Sequence, residues 1–349
     1  MKDQHCPAPL YIRPVSGNDA PALLQLAERL DTLNLPRDPD ALDEVIAKSE
    51  ASFKRLSDAV SVVSPPVLAN GAYTLVAVQD EHLLGTASLL SHHGTPEDPH
   101  YYLRIIEQTV HSTQLNSKHC RHLLRLERDE EPWTEFGGLV VRPQARGQGV
   151  GKLLVAVRLL LIAMHREWFC ERLLAELLPP RREDGSNAFW DALGGPLTGL
   201  NYYRADLLCR TDKEFIESLF PSHEIVLELL STEAQAVVGQ VGPATVPVCR
   251  LLQRAGFHFL DSIDPFDGGP HYGAPLEDVS PVQRSRRLVC LDLPPTAAMR
   301  QVLLGNPASH CFYAAPAQVC GHGLRIESAT AQLLALHPGD LAWVMPLDW

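Results

Sequence analysis

The residues that could do chemistry begin at one glycine-rich turn. Arg142-Pro143-Gln144-Ala145-Arg146-Gly147-Gln148-Gly149-Val150-Gly151-Lys152 follows an apolar run, Phe136–Val141, and precedes a second one. Three glycines in five positions let the backbone approach a ligand closely and adopt positive φ. The N–H groups that open the following helix then converge on one point, where the helix dipole also favours negative charge. Such a turn is a pyrophosphate cradle made of backbone, and it lets an acidic chain hold an anionic ligand.

Spacing separates the turns of this kind. A P-loop needs G-x-x-x-x-G-K-[ST]; here Arg146 stands where the first glycine should be, and Leu153 follows Lys152. A dinucleotide fold needs G-x-G-x-x-G; after Gly147 and Gly149, Lys152 occupies the third glycine position. The pattern that fits is [QR]-x-x-G-x-[GA], at Arg146 to Gly151. Elsewhere, His119-Cys120-x-His122 has the residue types of metal ligands but no fourth ligand at a known spacing. It reads as a solvated surface, and no metal is assigned. The eight cysteines are scattered without a C-x-x-C pair, and they read as free thiols.

The elements that must position the turn are legible in part. Leu10–Ile12 reads as a strand, and Asn18 or Asp19 opens a helix through Leu30. Asp38 caps a second helix. Tyr73–Val78 and Leu83–Leu90 form a hairpin. The polar stretch Ser91–Asp129 reads as irregular. Phe136–Val141 is a strand, Gly149–Trp168 a buried helix, Leu173–Leu178 a strand, and Ser186-Asn187 opens a helix to Leu193. Further strands are expected at Ile225–Leu230 and Phe257–Ile263, with the helix Pro247–Ala255 between them. Asp264–Asp278 is expected to be a linker or structured loop. Leu288–Leu291, His310–Tyr313 and Leu341–Met345 are strand candidates in a β-rich tail of about 60 residues, near the lower limit for independent folding.

Composition bounds the function. The 349 residues carry Lys+Arg 30 against Asp+Glu 42, a net charge of −12. Nucleic-acid binding, which needs a basic footprint, is therefore not expected. The 45% hydrophobic content suits a folded soluble protein. Arg158 interrupts the best apolar run, Leu153–Met164, so no membrane span is expected. The first nine residues have no apolar core, and a cytoplasmic location is expected.

The Arg146–Gly151 pattern resembles the acetyl-CoA-binding motif of the GNAT superfamily of N-acyltransferases. Further segments, in order along the chain, narrow the resemblance to the arginine N-succinyltransferase family. They are Tyr11-Ile12-Arg13-Pro14-Val15, Tyr102-Leu103-Arg104, Gln114-Leu115-Asn116, Ala188 to Gly194, Arg204-Ala205-Asp206, Val238-Gly239-Gln240-Val241, Asp267-Gly268-Gly269-Pro270, and Ala331-Gln332-Leu333 through Pro338-Gly339-Asp340. The fold implied is α+β, a mixed and mostly antiparallel sheet flanked by helices. Residues 1–285 would form the acyltransferase unit, whole or as two GNAT-like halves of about 1–200 and 201–285, and residues 286–349 a small β-rich domain.

The function implied is transfer of a succinyl group from succinyl-CoA to the α-amine of L-arginine, the first step of an arginine-degrading route. An N-acyltransferase with another acceptor or donor, and a non-catalytic CoA-binding partner of a competent homologue, remain alternatives. The resemblance implies that Leu139 and Val141 lie along the acyl-pantetheine arm. It gives the amides of Gly147, Gln148, Gly149, Val150 and Gly151 to the pyrophosphate, and the charges of Arg146 and Lys152 to the phosphates. Arg104, Gln114 and Asn116 would meet the succinyl carboxylate. A homo-oligomer, or a hetero-oligomer with a homologous subunit, is expected. The attacking amine must lose a proton and the leaving thiolate must gain one. Glu135, acting through water, and His223 are the candidates for that work. The family places a proton-donating histidine directly after Gly-Gln-Val, where this chain has Gly242. Tyr202 and Tyr203 are further substitutes for it.

Overall fold

The computed structural model describes residues 9–28, 35–59, 70–209, 212–295, 299–308 and 311–349. Among these, the strands in chain order are β1 (Tyr11–Pro14), β2 (Ala72–Gln79), β3 (His82–His93), β4 (His100–Ser112), β5 (Ser117–Asp129), β6 (Trp133–Val141), β7 (Arg172–Glu176), β8 (Ile225–Val226), β9 (His258–Ile263), β10 (Pro270–Pro275), β11 (Arg286–Cys290), β12 (Arg300–Asn306), β13 (Cys311–Cys320), β14 (Gly323–Arg325) and β15 (Leu341–Pro346). They form one sheet in the order β12-β15-β11-β14-β13-β1-β2-β3-β6-β7-β10-β9-β4-β5-β8. Its pairs are antiparallel except β6–β7 and β11–β14.

Helices α1 (Ala20–Ala27) and α2 (Pro39–Ala59) follow β1. The Asp38 carboxylate accepts the Ala41 amide at 2.9 Å, which is the cap expected from the sequence. Helix α3 (Val150–Met164) crosses from β6 to β7. Its residues Leu154 to Ile162 are all buried, because the sheet covers one side and later elements cover the other. Leu173, Ala175 and Phe136 pack into the same core as α3, so those side chains face the helix. Alternation along a strand puts Leu174, Glu176 and Glu135 on the opposite face.

Three sequence expectations are corrected. Ser91–Asp129 is not irregular: it holds a long β4–β5 hairpin, paired from His100↔Asp129 to Ser112↔Ser117. One face carries Tyr101, Leu103, Ile105, Leu124 and Leu126, which pack into a core, but the run gives way to polar residues towards the hairpin tip, which hides the pattern. The region Ile225–Leu230 is a strand for only two residues, before a 3-10 turn at Leu227–Leu229. Asp264–Asp278 is more than a loop, since β10 lies inside it and pairs with both β7 and β9. Prolines at both ends of β10 disguise it, yet Pro is tolerated at the start of a strand.

Strands β11 to β15 close on themselves, because β12 also pairs with β13. Leu288, Leu304, Leu324 and Ala342 fill their interior. This barrel joins the rest of the sheet where β13 pairs with β1, and its end reaches α3, since Lys152 donates to the Leu347 carbonyl. No helix among the described residues is long and apolar enough to cross a membrane.

Candidate active site

The glycine turn adopts the geometry its composition requires. Gly147 has φ +76° and Gly149 φ +84°, and a Cβ at either would meet nothing within 4 Å. These glycines are therefore needed for backbone conformation, and the space before them is open. Gly149 is the N-cap of α3. The first amides of a helix have no carbonyl one turn earlier to receive them, so those of Val150 and Gly151 are available to an anion. The expected side chains behave differently from one another. Gln148 folds back, its Nε2 donating to the Gln144 carbonyl at 2.9 Å, and Arg146 Nε donates to the Val141 carbonyl at 3.3 Å. Lys152 is drawn to the C-terminal tail, 5.4 Å over the Trp349 ring.

Upstream of the turn, β6 bulges against β3. Thr86 pairs with Val140 and Ser88 with Gly137, so β6 carries one residue more. Gly138, with φ +57°, absorbs it. The bulge re-aims Leu139 and bends the strand. Strands β6 and β7 pair only at Thr134↔Leu173 and Glu135↔Leu174. Beyond that point they part, with Leu139 and Val141 on one arm and Glu176 at the end of the other.

On the face away from α3, this parting is filled by polar side chains from six strands. His271 of β10 stands opposite Glu176 of β7, and His100 of β4 stands opposite Asp129 of β5. The Nε2 atoms of His100 and His271 lie 3.0 and 3.9 Å from Glu176 Oε1. His93 Nδ1 lies 3.3 Å from Glu135 Oε2. The His100 ring is 4.8 Å from that of His93 and 5.1 Å from that of His271, centre to centre.

The charges of this cluster follow from burial and proximity. Burial opposes charge on His100, but Asp129 and Glu176 outweigh it and push the imidazole up to about 9. Burial, with His100 adding to it, pushes His93 down to about 3, and burial pushes His271 down to about 4. Burial also opposes charge on Glu176, yet His100 and His271 hold its carboxyl well below the usual range. Behind it, burial pushes Asp267 up to about 7 and raises Asp264 well above an ordinary carboxyl, with Asp267 and Glu176 adding to the rise at Asp264. His100 therefore sits as a cation between the Asp129 and Glu176 carboxylates, beside the neutral imidazoles of His93 and His271.

A cavity of about 200 Å³ opens onto this cluster. His100, Tyr102, Arg104, Trp133, Arg172 and His271 are among the residues that line it. Arg104 Nε donates to Glu127 at 2.7 Å and its NH2 to the Tyr102 hydroxyl at 3.1 Å. Arg172 lies 4.2 Å over the Trp133 ring. Arg172 NH2 also donates to the Glu131 carbonyl at 2.6 Å, so both arginines line one small space while each is engaged by a protein oxygen. Gln114 and Asn116 are not brought to it. They occupy the exposed tip of the β4–β5 hairpin, and ten residues of strand separate Gln114 from Arg104, roughly 30 Å.

Glu135 is only 7% exposed and faces the cluster. His223 is exposed in the turn before β8, the last strand of the sheet, four strands beyond β10. Tyr202 has its hydroxyl 3.4 Å from Arg181, outside the cluster, and Tyr203 is 52% exposed. Gly242 donates its amide to Leu178 O at 2.9 Å. A Cβ there would lie 2.6 Å from Pro179 O and 3.0 Å from Leu178 O. The backbone just beyond β7 closes this position to any side chain. Sequence reasoning missed His93, His100, Glu176 and His271. The histidine content of Ser91–Asp129 was a signal for His93 and His100 alone, and pairing across strands is needed to bring all four together.

The model of the family described as arginine N-succinyltransferase beta subunit matches residues 10–281. An arginine N-succinyltransferase of Citrobacter koseri is 31% identical over 337 residues, covering 95% of this chain and 96% of that protein. One from Salmonella schwarzengrund is 32% identical over 329 residues, covering 93% of each. Subunit AI of the arginine/ornithine succinyltransferase of Pseudomonas aeruginosa superposes with a TM-score of 0.82 at 24% identity, covering 98% of this chain and 100% of that one. With its mostly antiparallel sheet, the chain belongs to the arginine N-succinyltransferase family and is a transferase.

Proposed function

We propose that this protein transfers the succinyl group of succinyl-CoA to the α-amine of L-arginine. The observation that carries this reading is the open glycine turn at the end of β6, in a chain matched along most of its length by arginine N-succinyltransferases. In this reading the amides of Gly147 to Gly151 hold the pyrophosphate. The pantetheine arm passes between β6 and β7, beside Leu139 and Val141, and brings the thioester to the polar face. The neutral amine nitrogen, once its ammonium proton is removed, attacks the thioester carbonyl carbon; the C–N bond forms, the C–S bond breaks, and the second proton lost from nitrogen passes to the leaving thiolate. Glu135, buried beside the point where the strands part, accepts the amine proton through a water. Arg104 and Arg172 receive a carboxylate, that of the succinyl group or of the arginine. In this reading His223, exposed before β8, takes no part, and Gly242 supplies no proton.

The test is product mass spectrometry on the purified chain, with succinyl-CoA or acetyl-CoA as donor and arginine or ornithine as acceptor. N-succinylarginine as the main product supports the reading. Acetylated product alone, or the absence of product from a folded chain that binds CoA, overturns it.

A further inference from the structure

The proposed transfer leaves three buried imidazoles unused. One nitrogen or oxygen from each of His93, His100 and Glu176 lies within 4.8 Å of the others, and the same is true of Glu176, Asp264 and His271. Glu176 is common to both groups and stands at their centre. We propose that His93, His100, His271 and Glu176 bind a divalent transition-metal ion of the zinc type.

Three independent observations carry this. First, the Nε2 atoms of His93, His100 and His271 are buried and have no hydrogen-bond partner. His100 Nε2 is close to Glu176 Oε1 but misaligned for a hydrogen bond. A buried polar atom without a partner calls for an explanation; an ion on Glu176 would serve all three once the two groups, which share only that residue, close around it and His100 gives up its proton.

Second, the spacings about Glu176 bracket those of ligands that share one ion. Tetrahedral ligands at zinc distances stand roughly 3.4 Å from one another. The two measured separations, 3.0 Å for His100 and 3.9 Å for His271, lie on either side of that.

Third, one outer ring nitrogen is already oriented, and a carboxylate stands near a second. His93 Nδ1 meets the Glu135 carboxylate at 3.3 Å, while His100 Nδ1 is 3.8 Å from Asp129, beyond hydrogen-bond length. Metal-binding histidines present their second nitrogen to a carboxylate in this way. The donor set of three imidazoles and one carboxylate suits zinc, cobalt or iron(II) rather than magnesium or calcium. Its members come from β3, β4, β7 and β10, so an ion would tie the hairpin strand β4 to the centre of the sheet.

The second group with ligand types, Glu107, Cys120 and His122, is weaker. It is more exposed, Cys120 donates to Glu107 at 3.1 Å, and His122 is taken by Glu228 at 3.2 Å.

The experiment uses the full chain, stripped with a chelator and then titrated with Zn²⁺ or Co²⁺. The expected result is one equivalent per chain, with Co²⁺ absorption of a nitrogen–oxygen site that lacks thiolate bands. His271→Ala and His93→Gln, shown by circular dichroism to be folded, should each lose roughly 100-fold or more in affinity. Glu135→Gln, which leaves all four ligands in place, should lose roughly 10-fold, and His122→Ala should lose nothing. No uptake by the folded wild-type chain overturns the proposal. So does unchanged affinity in both His271→Ala and His93→Gln. The readout is binding, so the result is independent of whether arginine is succinylated.

Discussion

The glycine turn and the histidine–carboxylate cluster lie at opposite ends of the same strand, β6, and are built in opposite ways. The turn is a run of consecutive residues whose functional atoms are backbone amides. Its chemistry follows from glycine placement and from the start of α3. The cluster takes His93, His100, Glu176 and His271 from positions 7, 76 and 95 residues apart along the chain. Its chemistry is made of side chains and exists only once β3, β4, β7 and β10 have paired. The first kind of site tolerates changes in surrounding side chains but not a change of backbone. The second is open to change at any member.

The largest expected effect is at the turn. Gly149→Glu puts a carboxylate where the pyrophosphate would lie, at a residue with φ +84°. Loss of all CoA-dependent thermal stabilisation is expected. Gly149→Ala separates the two causes, since it adds only the backbone strain of roughly 1–2 kcal/mol. Retained calorimetric binding in Gly149→Glu would remove the turn from the cofactor site.

On the cluster side, Glu135→Gln is expected to lower kcat by roughly 10²–10⁴-fold, with the affinity for CoA unchanged. A loss confined to CoA binding would instead place Glu135 on the turn's side of the comparison.

Gly242→His is expected to restore nothing. Its Cβ would sit 2.6 Å from Pro179 O, and overpacking of this kind costs roughly 1–3 kcal/mol. A lowered melting temperature without a gain in kcat is the expected outcome. A rise in kcat would show that the Leu178–Pro179 segment yields. The smallest effect belongs to His223→Ala, where less than roughly a twofold change in kcat/KM is expected for an exposed residue away from the site.

Those contrasts also explain what could be read in the sequence. The strand–turn–helix from Phe136 to Met164 was legible because apolar periodicity and glycine spacing are local properties. Asp38 and Asn187 were legible as caps for the same reason, and Asn187 does accept the Trp190 amide at 2.8 Å. The β4–β5 hairpin was not, since its apolar face is short, giving way to polar residues towards the tip, and its thirteen paired positions are visible only once the strands meet. Arg158 read only as an interruption of an apolar helix. It is in fact buried with its guanidinium 4.6 Å over the Phe136 ring, donating to the carbonyls of Leu154, Ser88 and Gly137. Burial pushes it down to about 9. No spacing rule pairs an arginine with carbonyls on two distant strands. The cavity was half legible: Arg104 was singled out, whereas Arg172 enters only because β7 lies beside β6.

The central claim joins the two regions: a CoA thioester held by the turn delivers a succinyl group to the face that Arg104 and Arg172 overlook. The most direct test is the ratio of kcat/KM for succinyl-CoA to that for acetyl-CoA, with arginine as acceptor, in the wild-type chain and in the double variant Arg104→Leu, Arg172→Leu. The account expects a strong preference for succinyl-CoA that falls by roughly 10-fold or more in the variant, as charge-assisted hydrogen bonds to a carboxylate are lost. Equal kcat/KM for the two donors in the wild-type chain would contradict it.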